Sequence, residues 1–447
     1  MRLRLIIVAM AVLTTSVVFL GPTFAHQGNL MEEDAYKRVA ARTILQHAIA
    51  GDALAAQASA EVTVPTEGSS PCVNGMSAGT YPCDGIDMLS RLSLADLGLT
   101  FGNDVWGWTD PETGRDYALM GGSEGTTIVD ISSPTNPDVV GILPTQTTAG
   151  GDFWRDIKVY ENHMYVGSEN TGHGIQVFDL TQVRGVTGDP VTFAPTNVYM
   201  GVGNSHNVNI NEDTGYLYIV GSTTCSGGLH MVDISTPASP VFAGCFSEHG
   251  YIHDTQCVVY EGPDADHRGS EICFNSNLNI ADGIQAVSIV DVNDKSNPVV
   301  LARALYPNFG HSHQGWLTQD QRFFLHGDEL DELSHGLGTT TRVWKVTDLD
   351  NPVLENTFEN ETAAIDHNLY TEGNATYLSN YTSGLRVYDN RNLPELTEER
   401  FFDVYPENDN ASFEGGTWSN YPYFSQRGRV VAVSSIDRGL FILRVRG

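Results

Sequence analysis

Short apolar segments bounded by glycine and by proline turns recur along the chain from about residue 99. Each copy starts at or near a glycine and continues as an apolar strand, and all but the last end with aspartate before a turn; residues 125–134 and 228–237 are the clearest copies. Weaker copies lie at residues 174–179, 286–291, 341–348, 384–389 and 439–445. Repeats of about 40–50 residues made of short strands are typical of propeller blades. The pattern therefore predicts an all-β fold, a seven-bladed β-propeller.

Each repeat divides into four antiparallel strands, a to d. In the third repeat, strand a covers residues 205–210, strand b covers 216–220, and a turn with hairpin residues joins them. The last repeat ends at its strand c, which would leave an unpaired edge. Residues 88–94 resemble strand d of the other blades, so we expect them to close the ring beside residues 440–445.

Histidine recurs at the start of strand a, the innermost strand of a propeller blade. His206, His253, His313 and His367 occupy equivalent positions in repeats three to six, whereas the second repeat has Arg155 there. Equivalent positions on successive inner strands form a ring. We therefore expect these four histidines to converge at one mouth of the central channel.

Carboxylates recur at the end of strand b, which returns to the face where strand a begins. These residues are Glu124, Glu169, Asp328 and Glu329. Imidazole nitrogen and carboxylate oxygen are ordinary ligands for divalent transition metals, which the mixture favours over calcium. The predicted metal ligands are His206, His253, His313, His367, Asp328 and Glu329. The predicted ligand-binding residues beside them are Arg155, Asp156, Asp254, Glu124 and Glu169.

The histidine positions admit two other interpretations. An early polar residue of strand a can serve only to hydrogen-bond the next blade, because buried polar groups need partners. Alternatively, the histidines and Arg155 could bind an anionic ligand without metal. In the metal interpretation, neighbouring side chains would fix the imidazole tautomers; these are Asp156, Asn207, Asp254, Gln314 and Asn368.

Three further features have two interpretations each. The acidic run at residues 328–332 could hold calcium, but a solvated loop is the favoured interpretation. The six cysteines favour disulfides, including a Cys72–Cys83 loop closure, because their spacings match no CxxC zinc pattern. Tryptophans in or beside strand a favour core packing over ligand stacking at the mouth.

The N-terminus and the charge balance bear on location and partners. Residues 1–25 predict a signal peptide, residues 26–85 a helical leader and Gly/Ser/Pro-rich linker, and residues 86–447 the propeller. No second apolar run has membrane length, so we expect no stable membrane anchor. With 24 basic and 55 acidic residues, the net charge of −31 disfavours nucleic acid as a partner.

Several segments resemble the choice-of-anchor B family, whose propeller repeats are named LVIVD. The segments are DVWGWTDP at residues 104–111, GYIHDTQCVVY at 250–260, HQGWLT at 313–318, DELDE at 328–332, IDHNLY at 365–370 and GTWSNYP at 416–422. The resemblance covers about residues 72–447. It implies an exported bacterial propeller; the family's members carry variable C-terminal anchors, and this chain departs from them in having none. A released protein is therefore expected, and the family implies no activity.

Two functions fit these observations. The first is a secreted or periplasmic binding or scaffold module for an extracellular protein or a small ligand, with a metal-capable channel mouth. The alternative is a metal-dependent extracellular enzyme, a hydrolase or an oxidase, that uses the same residues. The sequence contains no serine nucleophile elbow, phosphate loop or dinucleotide fingerprint. An enzymatic function would therefore depend on the histidine ring alone.

Overall fold

The computed structural model describes residues 69–151, 154–279, 284–424 and 428–447. The predicted signal peptide and most of the predicted leader lie outside these ranges. Within them, the helices are the single turns α1 (Leu94–Leu97) and α2 (Asp331–His335) and the 3₁₀ turns Leu180–Val183 and Cys225–Gly227. None of the helices in this part of the chain has the length and apolarity to span a membrane.

Seven antiparallel sheets of four principal strands form the body of the molecule, as predicted. In order a to d, blade 1 comprises Gly102–Thr109, Asp116–Gly122, Gly125–Asp130 and Asp138–Pro144; blade 2, Arg155–Tyr160, His163–Ser168, Ile175–Asp179 and Asn197–Tyr199; blade 3, Asn207–Asn211, Tyr216–Val220, Leu229–Asp233 and Val241–Phe246; blade 4, Tyr251–Val259, Glu271–Asn279, Ile284–Asp291 and Val299–Leu305. Blade 5 comprises Ser312–Leu317, Phe323–Asp328, Thr340–Lys345 and Val353–Glu359; blade 6, Asn368–Glu372, Ala375–Ser379, Leu385–Asp389 and Thr397–Phe402; blade 7, Thr417–Phe424, Val430–Ser435, Gly439–Val445 and Ile86–Leu92.

The inner strands form a closed circle. Strand a of each blade contacts strand a of the next, and that of blade 7 contacts that of blade 1. Apolar residues from strands b and c fill the spaces between neighbouring blades, as in the buried cluster that Tyr218, Met231, Ile252 and Val290 form between blades 3 and 4. This arrangement brings the starts of distant strands a to one axis.

The recurring glycine and aspartate of strand c have local structural roles. The backbone of Gly439 and of Gly384 has positive φ, and in each case a carbonyl of strand d lies where a Cβ would be. The aspartate at the end of strand c accepts a hydrogen bond from the N–H two residues later, which shapes the turn into strand d; the pairs are Asp130–Ser132, Asp179–Thr181, Asp233–Ser235, Asp291–Asn293 and Asp389–Arg391. The repeat is therefore a blade-edge motif rather than a ligand motif.

An N-terminal strand closes the ring. Ile86–Leu92 pairs antiparallel with Gly439–Val445, with Ile86 opposite Val445 and Leu92 opposite Leu440. The predicted pairing is confirmed, although the strand begins and ends two residues earlier than residues 88–94. Just before it, Met76–Ser77 and Tyr81–Asp84 extend blade 6 at its outer edge. The N-terminal segment thus spans blades 6 and 7.

All six cysteines are paired as disulfides: Cys72–Cys83, Cys225–Cys245 and Cys257–Cys273. Cys72–Cys83 closes the loop before the ring-closing strand, as expected. The other two pairs stabilise blades 3 and 4. Three disulfides fit an extracellular protein, because thiols stay reduced in most cytosolic proteins.

A buried carboxyl at the edge of blade 6 makes stability depend on pH. Burial raises the pKa of Asp403 from 3.8 to about 7, even though its side chain accepts a hydrogen bond from the N–H of Tyr405. Between about pH 4 and pH 7 the folded protein therefore keeps a proton that the unfolded chain releases, so stability falls as pH rises. Asp403→Asn should lose less stability than the wild type across this window in denaturant titrations. The exposed Asp138→Asn is the control and should follow the wild type.

Candidate functional site

Six aromatic rings form a continuous arc around the channel mouth. The ring centroids of His206 and His253 are 4.1 Å apart, and those of His253–His313 and His313–His367 are each 4.4 Å apart. Trp418 continues the arc 4.5 Å from His367, and Trp154 stacks on Trp418 at 4.7 Å. The four predicted histidines therefore converge, although they come from four different blades.

Two tryptophans extend the predicted ring. Trp154 of blade 2 and Trp418 of blade 7 continue the arc, and the predicted Arg155 also lines the pocket at the mouth. The guanidinium of Arg155 donates to the carbonyls of Gly122 and Ser123 in blade 1. In the sequence, both tryptophans stand next to the position that aligns with the histidines, and an aromatic residue there would have identified them.

Backbone carbonyls fix the orientation of three imidazoles. The Nδ1 atoms of His253, His313 and His367 donate to the carbonyls of His313, His367 and Trp418, at 3.0, 3.2 and 2.5 Å. Each histidine thus hydrogen-bonds the next blade, as the structural interpretation predicted. Because a carbonyl only accepts, Nδ1 carries the proton and, in a neutral ring, Nε2 carries a lone pair.

His206 is held differently, by the predicted carboxylate of strand b. Its Nδ1 lies 2.5 Å from Oε1 of Glu169, and both residues are largely buried. When one imidazole nitrogen donates to a carboxylate, the other nitrogen becomes more basic. Metal-ligating histidines commonly make such a hydrogen bond.

The predicted tautomer-fixing side chains have other partners. Asp156 accepts from Lys158 and from the N–H of Val208, and Gln314 exchanges hydrogen bonds with the backbone of Leu369. Asn368 donates to the carbonyl of Trp418, and Asp254 accepts from the N–H of Thr255. These bonds mostly tie strand a of one blade to strand a of the next.

Glu329 is the carboxylate that faces the histidines. One of its oxygens lies 3.8 Å from Nε2 of His313 and the other lies 3.7 Å from Nε2 of His367. The hydroxyl of Tyr381 donates to it at 2.7 Å. Ligand atoms of His253, His313 and Glu329 all lie within 4.8 Å of one another, and the three residues are buried.

The imidazoles opposite Glu329 are neutral near pH 7. Burial, and then the neighbouring imidazoles, lower the pKa of both His313 and His367 to about 3. Two nitrogen lone pairs therefore point toward a carboxylate at less than 4 Å. The two lone pairs and the carboxylate repel one another, and together they are complementary to a cation.

Two of the predicted site carboxylates lie apart from this cluster. The carboxylate of Asp328 accepts from Tyr306 and from the backbone N–H groups of Gly310 and His311. The carboxylate of Glu124 accepts from the backbone and side chain of Thr100. The carboxylates of Asp328 and Glu124 thus stabilise loops. Of the neighbouring residues Asp328 and Glu329, only Glu329 faces the histidines.

The pocket at the mouth is small and acidic. Its water-accessible space is about 20 Å³, enough for a water molecule or an ion. Asp104, Asp156 and Asp254 also border it, as does the buried cation Arg155, and the buried Lys158 lies beside the aspartates. Burial raises the pKa of Asp254 to about 8 and that of Asp104 well above its usual range. These raised pKa values reduce the negative charge of the pocket near pH 7.

The acidic run at residues 328–332 is buried, which corrects the favoured expectation of a solvated loop. Asp328 and Asp331 are inaccessible, and Glu329 and Glu332 are at most 4% exposed. Arg342 forms an ion pair with Asp331 at 2.6 Å, and Tyr306 and backbone N–H groups hold Asp328. These partners come from residues distant in sequence, so a local pattern of like charges could not reveal them.

Comparison with known proteins agrees with the observed sheets. Residues 115–145 and 202–247 match the LVIVD repeat family; they cover strands b to d of blade 1 and all of blade 3. No curated protein matches the sequence.

Three solved structures are among those that the chain matches distantly. A chain of a nidogen/laminin complex is 9% identical, with 64% of this chain and 92% of that chain covered and a TM-score of 0.41. The propeller domain of Cps50 (Swd1) from Myceliophteria thermophila is 12% identical, with 77% of this chain and 97% of that chain covered and a TM-score of 0.48. Hydrazine synthase from Kuenenia stuttgartiensis is 10% identical, with 71% of this chain and 89% of that chain covered and a TM-score of 0.45. Similarity this distant says nothing about function. The chain is a seven-bladed β-propeller, and two of its segments match the LVIVD repeat.

Proposed function

We propose that this protein is an exported binding module of the choice-of-anchor B type that holds a divalent transition-metal ion at the mouth of its channel. His253, His313 and Glu329 are the ligands, and His367 and His206 lie beside them. The supporting observation is the approach of neutral imidazole Nε2 atoms to the Glu329 carboxylate at 3.7–3.8 Å. Two imidazoles and one carboxylate suit zinc, manganese or iron better than calcium.

A small pocket borders the proposed ligand His313, together with His206 and His367. Its volume of about 20 Å³ has room for one ion or one water molecule but not for an organic substrate. Export is supported by the three disulfides and by the N-terminal sequence pattern.

Metal titration of the chelator-treated protein tests this proposal. Cobalt(II) should bind with a stoichiometry of one and give visible absorption bands, and zinc should displace it. Glu329→Gln and His253→Ala should each weaken binding by at least about tenfold, since each loses one ligand of three. Circular dichroism of each variant confirms that it is folded.

A surface variant provides the matched control. Asp264, His267 and Asp350 form a partly exposed trio with ligand-like spacing, so His267→Ala removes a competing site without touching the channel. This variant should bind cobalt as the wild type does. Binding that persists in Glu329→Gln, or that is lost in His267→Ala, would rule out the channel mouth as the site.

A further inference from the structure

Three more carboxylates gather directly behind Glu329, between blades 5 and 6. Asp331 and Glu332 lie on the first turn of α2, and Asp366 immediately precedes the histidine of blade 6. An oxygen of each lies within 4.8 Å of an oxygen of the other two. Their exposed fractions are 0%, 3% and 2%.

The carboxylate of Glu332 points into this cluster, where both of its oxygens lack a conventional hydrogen-bond partner and its neighbours are the carboxyl groups of Asp331 and Asp366. One oxygen of Asp331 and one oxygen of Asp366 are also buried without a conventional hydrogen-bond partner. A buried carboxylate without donors costs several kcal/mol, because it loses hydration and gains nothing in return. Four oxygens of the cluster thus lack a conventional hydrogen-bond partner among the residues that the structure describes.

The protein provides too little positive charge for this cluster. Arg342 is the cation here, and its Nη2 is bound to Asp331 at 2.6 Å and to the carbonyl of Asn308 at 3.1 Å. Glu332 and Asp366 have no ion pair of their own within the described ranges. Burial raises the pKa of both groups, that of Glu332 to about 12, so protonation is the alternative to a bound cation.

A glycine leaves space for the cluster. A Cβ on Gly327, in strand b of blade 5, would overlap Oδ2 of Asp366. This residue therefore lets the carboxylate of blade 6 approach the backbone of blade 5. A shared proton could link two of the oxygens, whereas an oxygen-preferring cation could use all of them at once.

We propose that Asp331, Glu332 and Asp366 bind a calcium-type divalent cation that joins blades 5 and 6. The donors are all oxygen, which suits a hard cation and separates this site from the imidazole cluster. The cation fixes both elements that carry the channel site, since Glu329 lies two residues before Asp331 and His367 follows Asp366. This site does not depend on the transition-metal site, because the two share no ligand.

Calcium titration followed by thermal unfolding tests this inference. Protein freed of calcium with EGTA should bind about one calcium ion with a dissociation constant below about 1 mM, the range of extracellular calcium modules. Its unfolding temperature should rise as calcium is added. Glu332→Gln and Asp366→Asn should each weaken binding at least about tenfold, because ligand charge sets the affinity.

The neutral variants also separate a cation site from a merely structural cluster. Without calcium, Glu332→Gln should be at least as stable as the wild type, because a neutral amide needs no compensating cation or proton there; with calcium, the wild type should be the more stable protein. Glu329→Gln should keep the calcium response even though it loses cobalt. Asp264→Asn, on the surface, should also keep it. No calcium-dependent rise in the wild type, or an equal rise in Glu332→Gln, would overturn the inference.

Discussion

Deletion of Ile86–Leu92 is expected to abolish cooperative folding of the propeller. The strand buries Ile86, Met88, Leu89 and Leu92, each at most 6% exposed, against the last strand of the chain. Burial of each side chain contributes about 1.5–3 kcal/mol, so the four contribute about 6–12 kcal/mol. This is comparable with the entire stability of a typical domain, about 5–15 kcal/mol.

Size-exclusion chromatography and thermal unfolding measure the effect. The deletion variant should aggregate or unfold without a sharp transition, because the edge of blade 7 is left unpaired. A peptide covering residues 84–94, added to the variant, should restore the transition, and a scrambled peptide should not. A deletion variant that unfolds sharply within a few degrees of the wild type would show that the ring does not need this strand.

Glu271→Ala should destabilise the protein by about 3–5 kcal/mol, because it leaves a buried charge without a partner. Glu271 is 4% exposed and lies 2.6 Å from Nζ of Lys295. It also accepts from Asn211, Thr214 and Tyr218 of the neighbouring blade, at 2.7, 2.6 and 2.5 Å. One carboxylate thus connects blades 3 and 4.

Equilibrium unfolding in guanidinium chloride checks this prediction against two controls. Glu355→Ala breaks a more exposed pair with Lys345 and should cost less than about 1 kcal/mol. The double variant Glu271→Leu with Lys295→Met should recover much of the loss, because no unpaired charge remains. A loss in Glu271→Ala no larger than that in Glu355→Ala would contradict the predicted role of Glu271.

Repetition made the fold and the histidine ring predictable. The glycine, the apolar strand and the aspartate recur because each blade needs the same edge, so seven copies indicate seven blades. The convergence of His206, His253, His313 and His367 followed from their equivalent positions, and the Glu169 contact followed from the antiparallel return of strand b.

Residues that depend on contacts between blades could not be predicted in this way. Whether Asp328 or Glu329 faces the histidines is decided by the donors around each, and Tyr306 and Tyr381 come from distant segments. The burial of Asp331 likewise depends on Arg342 and on blade 6. A single sequence shows the composition of such a cluster but not the neighbours that enclose it.

The position of the closing strand has a consequence for biosynthesis. Asp87 and Arg446 are hydrogen-bonded although 359 residues separate them, so a strand that leaves the ribosome early is the last to find its partner. Throughout translation it presents an unpaired apolar edge, which is the state in which nascent chains aggregate or recruit chaperones. If the chain crosses a membrane unfolded, the ring assembles only after the last residues have emerged on the far side.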